Sequence, residues 1–422
     1  MAEPLSPTGS TDVCVVGAGP AGLALTLMLL RSGVNVALVE RSTSFRRDFR
    51  GEILQPGGQA VLQALGVLAA ARARGACELD SFQLVDRGRT LLDIDYRRLE
   101  LPHNHLLAIP QRHLLEELLH ACAAHPGFVY LDGSRLTSLI REGQRVVGVE
   151  CSTANDISST VMANVVVGAD GRYSMTRRLA GIDAGRLDVF QQDVAWFKLA
   201  APGRQSRTVR VHRTAGTNPI LVHDSHPDQL QIGWTLHHKS WRAIAEQGIE
   251  HVRHELVKAL PEYADLIQDQ ITSMSALKLL DVFSGRSTQW VGDGLVLIGD
   301  SAHTHSPIGA QGINLALQDA AALHPILVEA LHYGPVDADA LTAYTDTRQP
   351  AVDSVLRMQK LQAKGMLSVG NPAAEFLRPK IAALINRTPL GTAITRRIAY
   401  GRDPVVVRSD LFTSPTPSET KG

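Results

Sequence analysis

The order of apolar and polar positions near the start of the chain predicts a strand, a tight turn, a helix and a second strand. An apolar run covers residues 12–16 and is followed by a glycine-rich turn at 17–22. An apolar helix is predicted over 23–31, ending before Gly33, and a second strand over 35–39. This β–turn–α–β order is typical of a Rossmann-type unit with a parallel sheet.

The remaining segments alternate between helical and strand-like periodicity. Helices are predicted over 58–73 with a break near Gly66, over 111–124, over about 249–268 and over about 312–332, where Pro325 should produce a kink. Strands are predicted over 80–98 around a turn at Gly88, over 128–167 as hairpins ending in an apolar strand at 165–167, in several short runs within 185–290, and over 294–298. The last 75 or so residues are expected to be helical.

These patterns predict an α/β protein with two interleaved domains. A three-layer Rossmann-like dinucleotide-binding domain would be assembled from residues 1–79, 104–184 and 280–364. A mainly antiparallel sheet domain would be inserted as residues 80–103 and 185–279, and would bind the substrate. Residues 365–422 are expected to form a C-terminal helical segment with a disordered Pro/Ser/Thr-rich tail.

Composition narrows the class of protein. The 422 residues carry 42 basic and 42 acidic side chains and 5% aromatic residues. This balance offers no basic surplus for phosphates, so nucleic-acid binding is not expected. The four cysteines form no CxxC pair, and neither a signal peptide nor an apolar run of the roughly 18–20 residues that a membrane span needs is found. A cytoplasmic protein, monomeric or homodimeric, is expected.

The turn Gly17-Ala18-Gly19-Pro20-Ala21-Gly22 has the chemistry of a diphosphate site. Gly17 permits the tight turn, Gly19 lets a diphosphate approach the backbone, and Gly22 allows the helix to pack closely on the strand. The helix N-terminus adds free N–H groups and a positive dipole end. Glu40 ends the second strand, where an acid can accept hydrogen bonds from ribose hydroxyls. The alternative is a glycine-rich turn that binds nothing.

Two later motifs distinguish among dinucleotides. One is Gly168-Ala169-Asp170-Gly171, and the other is Gly299-Asp300 continuing to Pro307-Ile308-Gly309-Ala310-Gln311-Gly312-Ile313-Asn314, each placed directly after a strand. With the first turn, this ordered set resembles the class A flavoprotein monooxygenases, a family that includes para-hydroxybenzoate hydroxylase and the ubiquinone-biosynthesis hydroxylases. The resemblance covers about residues 12–350. A second, local resemblance joins Gly51-Glu52-Ile53-Leu54-Gln55-Pro56-Gly57-Gly58 to squalene epoxidases.

The resemblance implies roles for particular residues. Asp300 would accept a hydrogen bond from the ribityl chain of FAD, and the segment 307–314 would lie beside the isoalloxazine, where a helix N-terminus favours the anionic reduced flavin. Asp170 belongs to a motif associated with both FAD and the nicotinamide donor, although capping of the following turn explains it equally well. The implied catalytic residues are Pro307, Gly309 and Asn314. The implied cofactor residues are Gly17, Gly19, Pro20, Ala21, Gly22, Glu40, Arg41, Arg50, Arg112, Asp170, Asp300, Gly309, Ala310, Gln311, Gly312, Ile313 and Asn314. Arg112 has an alternative as an ordinary solvated helix residue.

The function implied is that of an FAD-dependent monooxygenase with NADPH or NADH as a transient electron donor. In this family O2 adds at flavin C4a, and the hydroperoxide hydroxylates or epoxidises an apolar or aromatic small molecule, which could be phenolic, polyketide-like or terpenoid. One alternative is an FAD oxidase or dehydrogenase on the same fold, and another is a non-catalytic flavin-binding protein. Candidate substrate contacts are Trp196, Phe197, Trp234 and Phe283, although core packing is the commoner role of such residues.

Other catalytic chemistries find little support. The histidine pairs at 103/105, 237/238 and 303/305 have no third ligand at metal-binding spacing, so no metal is expected. Neither Ser174 nor Ser301 stands in a GxSxG elbow, so a serine hydrolase is not indicated.

Overall fold

The structure is a computed structural model that describes residues 8–45, 52–187, 192–214, 217–362 and 372–413. The helices are α1 (Pro20–Arg31), α2 (Pro56–Ala64), α3 (Leu68–Ala73), α4 (Gln111–Ala123), α5 (Met175–Leu179), α6 (Trp241–Glu246), α7 (Gly248–Ala259), α8 (Ala264–Gln270), α9 (Gly312–Leu331), α10 (Thr342–Gln362), α11 (Pro372–Arg387) and α12 (Pro389–Tyr400).

The strands are β1 (Thr8–Val16), β2 (Val36–Val39), β3 (Ile53–Leu54), β4 (Cys77–Leu79), β5 (Ser81–Asp86), β6 (Arg89–Asp95), β7 (Leu106–Ala108), β8 (Phe128–Leu131), β9 (Arg135–Glu142), β10 (Arg145–Ser152), β11 (Ser158–Gly168), β12 (Arg186–Leu187), β13 (Gln192–Ala200), β14 (Thr208–Arg213), β15 (Ile220–Ser225), β16 (Gln229–His237), β17 (Lys278–Leu280), β18 (Ser284–Arg286), β19 (Val291–Gly292), β20 (Leu295–Leu297) and β21 (His303–Thr304).

A parallel sheet forms the centre of the first domain. Its parallel strands run in the order β20-β11-β1-β2-β8, with β19 antiparallel at one edge and the β9–β10 hairpin paired to the start of β11. Side chains of β1 alternate between two cores: Val13 and Val15 pack on the helix side, with α1, α4 and α9, and Cys14 and Val16 pack towards β9 and β10. Both faces are covered, which is why these strands are apolar without alternation.

A second sheet, called the inserted sheet below, has seven strands in the order β17-β13-β16-β15-β14-β5-β6. The domain bounds expected from the sequence stay a prediction. All its pairs are antiparallel except β14–β5, because β5 and β6 come from an earlier part of the chain. One face of the sheet packs on α7 and α8 through an apolar cluster that includes Phe197, Ile232 and Leu256. The opposite face is left for the cavity described below.

The C-terminal helices join the two domains. Helix α10 packs on α9, α11 packs on β6 of the inserted sheet, and α12 packs on α2 and also contacts β6. The tail expected to be disordered falls largely on 414–422, which lie outside the described residues. No helix in the described part of the chain is both long and apolar enough to cross a membrane.

The predicted fold class is confirmed, with small differences in the elements. Strand β1 begins at Thr8, four residues earlier than expected, because it pairs with β11 from Thr160 onward. The break near Gly66 is present, and Gly66 has φ of +62° there. Helix α9 continues as one element on both sides of Pro325, and the kink at that proline stays a prediction.

Candidate active site

A cavity of about 1460 Å³ lies between the carboxyl edge of the parallel sheet and the inserted sheet. Its lining includes the residues that follow the ends of β1, β2, β11 and β20. Ligands of open α/β sheets bind outside these carboxyl ends. Pockets for one small molecule usually measure about 300–1,000 Å³, so this cavity has room for more than one.

The glycine turn after β1 is shaped by close backbone contacts. Gly17 has φ of +108°, and a Cβ added there would come within 2.5 Å of the carbonyl oxygen of Ala169. A Cβ on Gly22 would collide with the carbonyl oxygen of Gly17. Gly19 differs, since the nearest atom to an added Cβ is 3.9 Å away. Gly17 and Gly22 therefore serve packing, and Gly19 leaves space at the cavity wall.

Helix α1 presents its N-terminus to this space. Gly17, Gly19, Pro20 and Ala21 line the cavity. In the described structure the first turn of α1 carries no acidic residue, and Gly19 provides no side-chain cap. Its backbone N–H groups and positive dipole end are thus available to an anion, which is the arrangement expected for a diphosphate.

Glu40 is held in place from two sides. One carboxylate oxygen accepts a hydrogen bond from the backbone N–H of Ala18 at 2.8 Å, and the other accepts one from Ser42 at 3.0 Å. Glu40 is buried and lines the cavity next to Arg41, which is exposed. The carboxylate of Glu40 is thus held in a fixed position at the cavity wall.

Asp170 performs the capping role that the sequence left as an alternative. Its carboxylate accepts hydrogen bonds from the hydroxyl of Ser174 (2.5 Å), from the backbone N–H of Thr176 (2.9 Å) and from the hydroxyl of Ser301 (3.2 Å). These bonds join the loop after β11 to the loop after β20. Asp170 also lines the cavity, so the two interpretations are compatible.

Asp300 lines the cavity from the turn after β20. One of its carboxylate oxygens lies 3.7 Å from the guanidinium of Arg172, whose side chain also lies at the cavity. About 30% of the Asp300 side chain is exposed, so its carboxylate remains accessible to a hydroxyl in the cavity.

The segment before α9 forms part of the cavity wall. Pro307, Ile308, Gly309, Ala310, Gln311, Gly312 and Ile313 all line it. Gly309 and Ala310 have φ of +74° and +50°, so the backbone turns sharply before the helix begins at Gly312. The described first turn of α9 contains no acidic residue, and a Cβ on Gly312 would have no atom within 4 Å. This N-terminus is thus a second open anion site.

Asn314 does not line the cavity, although the resemblance placed it among the catalytic and cofactor residues. It is 1% exposed, its side-chain oxygen accepts a hydrogen bond from the backbone N–H of Gln55 at 2.9 Å, and its amide donates to the carbonyl of Ala310 at 2.7 Å. Gln55 in turn donates from its side chain to the carbonyl of Gly309 at 2.9 Å. Asn314 therefore fixes the turn.

Arg112, one of the predicted cofactor residues, does not line the described cavity. Arg112 is exposed and lies 3.7 Å from Glu116 on the surface of α4, outside the cavity lining formed by the described residues. Its neighbour Gln111 lines the cavity instead. Arg50 lies outside the described residues.

A buried ionic chain supports the turn after β20. Asp319 is held by Arg348 at 2.8 Å, by His303 at 2.6 Å and by the backbone N–H of Gly299 at 2.9 Å. Burial acts to raise the pKa of Asp319, but the neighbouring His303 and Arg348 outweigh it and keep that pKa well below its ordinary range. His305 follows on the cavity side, and burial lowers its pKa to about 3, so it is neutral at pH 7.

The residues present fit FAD. Two helix N-termini without side-chain caps line one cavity in the described structure, Gly19 and Gly312 leave space where a side chain would intrude, and the volume accommodates a cofactor and a substrate.

Comparisons with known proteins agree with this geometry. A protein-family profile described as "FAD binding domain" matches residues 10–359. The 6-methylpretetramide 4-monooxygenase of Streptomyces rimosus is 54% identical over 408 residues, which cover 97% of this chain and 96% of the relative.

The chain belongs to the FAD-dependent monooxygenases.

Solved structures show the same fold for this monooxygenase. PqsL of Pseudomonas aeruginosa, solved with 2-aminobenzoylacetate, has a TM-score of 0.76 at 23% identity and covers 89% of this chain and 100% of its own. The OxyS anhydrotetracycline hydroxylase of Streptomyces rimosus has a TM-score of 0.73 at 23% identity and covers 92% of this chain and 76% of its own.

Sequence reasoning missed several residues at the cavity of this monooxygenase. Gln55 lines it and also accepts a hydrogen bond from the hydroxyl of Tyr96 at 3.1 Å. Glu52 lines it and bonds to Lys198 of the inserted sheet at 2.8 Å. Both residues stand within the segment 51–58, whose local resemblance to squalene epoxidases could have pointed to them. Through Gln55 and Glu52 this segment connects the loop before α9 to the inserted sheet.

Of the four aromatic candidates, Trp196 lines the cavity. Its ring lies across Gly233, where an added Cβ would approach it to 2.8 Å. Phe197 and Trp234 are buried in the cluster on the other face of the sheet, and Phe283 is buried under the guanidinium of Arg186. Packing is therefore the role of these three.

His238, from one of the histidine pairs, lies beside two carboxylates that its sequence neighbours do not include. Asp193, His238 and Asp281 bring possible ligand atoms within 4.8 Å of one another. Both carboxylates are already engaged: Asp193 binds the backbone N–H of Lys239 at 3.0 Å, and Asp281 lies 3.3 Å from Arg186. The group is accounted for by hydrogen bonds and an ion pair.

Proposed function

We propose that this monooxygenase uses NADPH or NADH and O2 to hydroxylate an aromatic polyketide-like small molecule. The observation that carries this proposal is the cavity, in which the open N-terminus of α9 faces an apolar sheet. The relative at 54% identity is named for the oxidation of 6-methylpretetramide, and this name supports the substrate class.

The balance of the proposed reaction fixes what the protein must provide. The substrate gains a C–O bond at one ring carbon and loses that carbon's hydrogen as a proton. NAD(P)H supplies two electrons, and the second atom of O2 leaves as water. Bound FAD supplies the chemistry that accepts these electrons, activates O2 and delivers one oxygen atom.

The proposed cofactor contacts follow the geometry of the cavity. The N–H groups at the start of α1 would bind the diphosphate, Glu40 the ribose and Asp300 the ribityl chain. The N–H groups of Gly312 and Ile313 at the start of α9 would hold the negative charge of the reduced flavin ring. Asn314 would act through Gln55 and Ala310 by keeping this turn in shape.

The proposed substrate site lies between this turn and the inserted sheet. Trp196, Val211 and Leu221 on the sheet and Ile381 and Ile398 on the C-terminal helices line it. These side chains offer an apolar surface to a planar molecule and exclude water from the reacting atoms. The absence of a second GxGxxG turn in the sequence supports a nicotinamide donor that visits transiently.

An anaerobic absorption experiment tests the electron source. The purified flavoprotein is mixed with NADPH, then separately with NADH, each with and without 6-methylpretetramide. We expect the flavin band to bleach with a nucleotide, and product one oxygen atom heavier to appear once O2 is admitted. Bleaching by 6-methylpretetramide alone would favour the oxidase alternative. A flavin that no combination reduces would contradict both the monooxygenase hypothesis and the oxidase hypothesis.

A further inference from the structure

The cavity face of the inserted sheet is apolar except at one place. His223 on β15 and Gln231 on β16 are directly opposite each other in the antiparallel register, and both line the cavity. Each is 2% exposed. Thr235 also lines this face, but its hydroxyl donates to the carbonyl of Pro219 at 2.7 Å. The His223–Gln231 pair is therefore a polar site on an apolar wall.

The imidazole of His223 has a fixed orientation. Its Nδ1 lies 2.8 Å from the backbone carbonyl of Asp224, so Nδ1 carries the proton and donates it. Nε2 then has a free lone pair, and the described residues offer it no hydrogen-bond partner. Burial lowers the pKa of His223, so the ring is neutral and its Nε2 lone pair is available as a hydrogen-bond acceptor for a hydroxyl in the cavity.

Gln231 is unsatisfied in a similar way. Its side-chain oxygen is fully buried, and neither atom of its amide has a hydrogen-bond partner among the described residues. Leaving a buried polar group unpaired costs about 1–3 kcal/mol. Side chains opposite each other in an antiparallel pair have Cβ atoms roughly 4.5–5.5 Å apart, so one ligand can reach both.

The charged groups around His223 are already paired with each other. Lys198 binds Glu52 at 2.8 Å and Ser225 at 2.9 Å, and Ser225 donates to Glu52 at 2.8 Å. The carboxylate of Asp224 accepts hydrogen bonds from backbone N–H groups at 206 and 207. These groups therefore do not compete with His223 for a ligand's proton.

The pair is also linked to the turn before α9. Ser225, two residues from His223 on the same strand, binds Glu52, and Glu52 is three residues before Gln55, which bonds to Gly309. The pair and the turn line the same cavity, so one polycyclic aromatic ligand in it can contact both.

We propose that His223 is the base that takes the proton from a phenolic hydroxyl of the substrate, and that Gln231 binds a second oxygen of the same molecule. This inference rests on the proposed function and specifies its substrate class as a phenol with a neighbouring oxygen substituent.

The proton step balances within the site. The O–H bond of the phenol breaks and an N–H bond forms at Nε2, so the ring becomes an electron-rich phenolate and His223 an imidazolium. The phenolate electrons make the ortho and para carbons better nucleophiles for the oxygen atom delivered. The ring then loses the hydrogen of the oxidised carbon as a proton, which enters the water formed from the second atom of O2, and the imidazolium returns its proton to the original oxygen.

His223→Gln and Gln231→Leu test the two roles, with His212→Gln as a matched control. His212 is on the neighbouring strand β14 outside the described cavity lining, 3.5 Å from Glu262. FAD content and thermal unfolding establish that each variant is folded, and His223→Asn replaces the first variant if it is not. Each oxidised holoenzyme is titrated with 6-methylpretetramide while the absorption of its ionised phenol is followed, and product per NAD(P)H is then measured against pH.

Wild type and His212→Gln should ionise the bound phenol and form product. His223→Gln should keep flavin reduction by NAD(P)H but lose product about 10²- to 10⁴-fold near pH 7, with hydrogen peroxide released instead. Its yield should recover as the pH rises and the phenol ionises unaided. Gln231→Leu should raise the KM or Kd about tenfold with less effect on kcat.

Unchanged ionisation and product yield in folded His223→Gln would overturn the inference. If wild type reduces its flavin but forms no product, the proposed function fails for this compound, and the titration still decides about His223. If the bound phenol ionises in wild type but not in His223→Gln, this result would still support His223 as the base that ionises the bound phenol. Absence of ionisation in wild type would overturn it.

Discussion

Gly312 offers a direct test of the proposed flavin site, because adding a side chain there should affect cofactor binding and folding in opposite directions. A Cβ on Gly312 would meet no atom within 4 Å. Gly312 is the first residue of α9, and its φ is not positive. Gly312→Ala should therefore raise the free energy of unfolding of the apoprotein by about 0.4–1 kcal/mol, since alanine reduces the freedom of the unfolded chain.

The same change should weaken FAD binding, because the new methyl group enters the space assigned to the flavin ring. Forcing extra carbon atoms into a filled site costs about 1–3 kcal/mol. That cost corresponds to a roughly five- to 150-fold rise in the Kd for FAD. Gly312→Val should lie at the upper end of this range.

Urea unfolding of the apoprotein and FAD titration followed by flavin fluorescence measure the two effects separately. Gly292→Ala is the matched control, because its nearest atom to an added Cβ is 3.9 Å away and it lies outside the described cavity lining. The control should bind FAD as wild type does. Normal FAD affinity in Gly312→Val would refute the placement of the flavin ring beside α9.

Three further outcomes are expected from the buried charges and the cavity lining. Asp319→Asn should lower the free energy of unfolding by about 3–5 kcal/mol in urea, because it leaves the buried guanidinium of Arg348 without its anion, and a loss below 1 kcal/mol would contradict this. Burial lowers the pKa of His324 to about 4, so below pH 6.5 this histidine takes up a proton in the unfolded chain before it does so in the folded protein. The free energy of unfolding should therefore fall as the pH drops from about 6.5 towards 4, by up to about 1.4 kcal/mol per pH unit. The variant His324→Gln should flatten this slope. Gln111→Ala should weaken FAD binding measured by titration while Arg112→Ala leaves it unchanged, and the reverse result would restore the role first expected of the arginine.

Helix α4 was predicted from the sequence, but which of its first residues lines the cavity was not. The sequence predicted the helix over 111–124, and the structure gives Gln111–Ala123. Consecutive residues of a helix point in directions about 100° apart, so Gln111 and Arg112 point in different directions, and only Gln111 lines the described cavity. Which of them does so depends on how α4 packs, and local spacing does not contain that information.

Asn314 likewise makes a contact that its local sequence does not reveal. Its place in the motif was recognised, but its side chain turns away from the cavity to hold Gln55, 259 residues earlier in the chain. A hydrogen bond of this kind joins two segments that only folding brings together. The family was inferred correctly from the motif, and the role of Asn314 at the cofactor stays a prediction.

The sequence by itself determined the features that depend on neighbours along the chain. The turn at 17–22, the strands that precede it and follow the first helix, and the break at Gly66 followed from short-range sterics and periodicity. The FAD-dependent monooxygenase family followed from the resemblance carried by the ordered motifs. The tertiary structure alone decided which polar groups share the cavity. His223 and Gln231 lie on an otherwise ordinary pair of strands, and their unpaired atoms become evident only when the sheet is folded over the cavity, because burial and the absence of a partner are properties of the packed molecule.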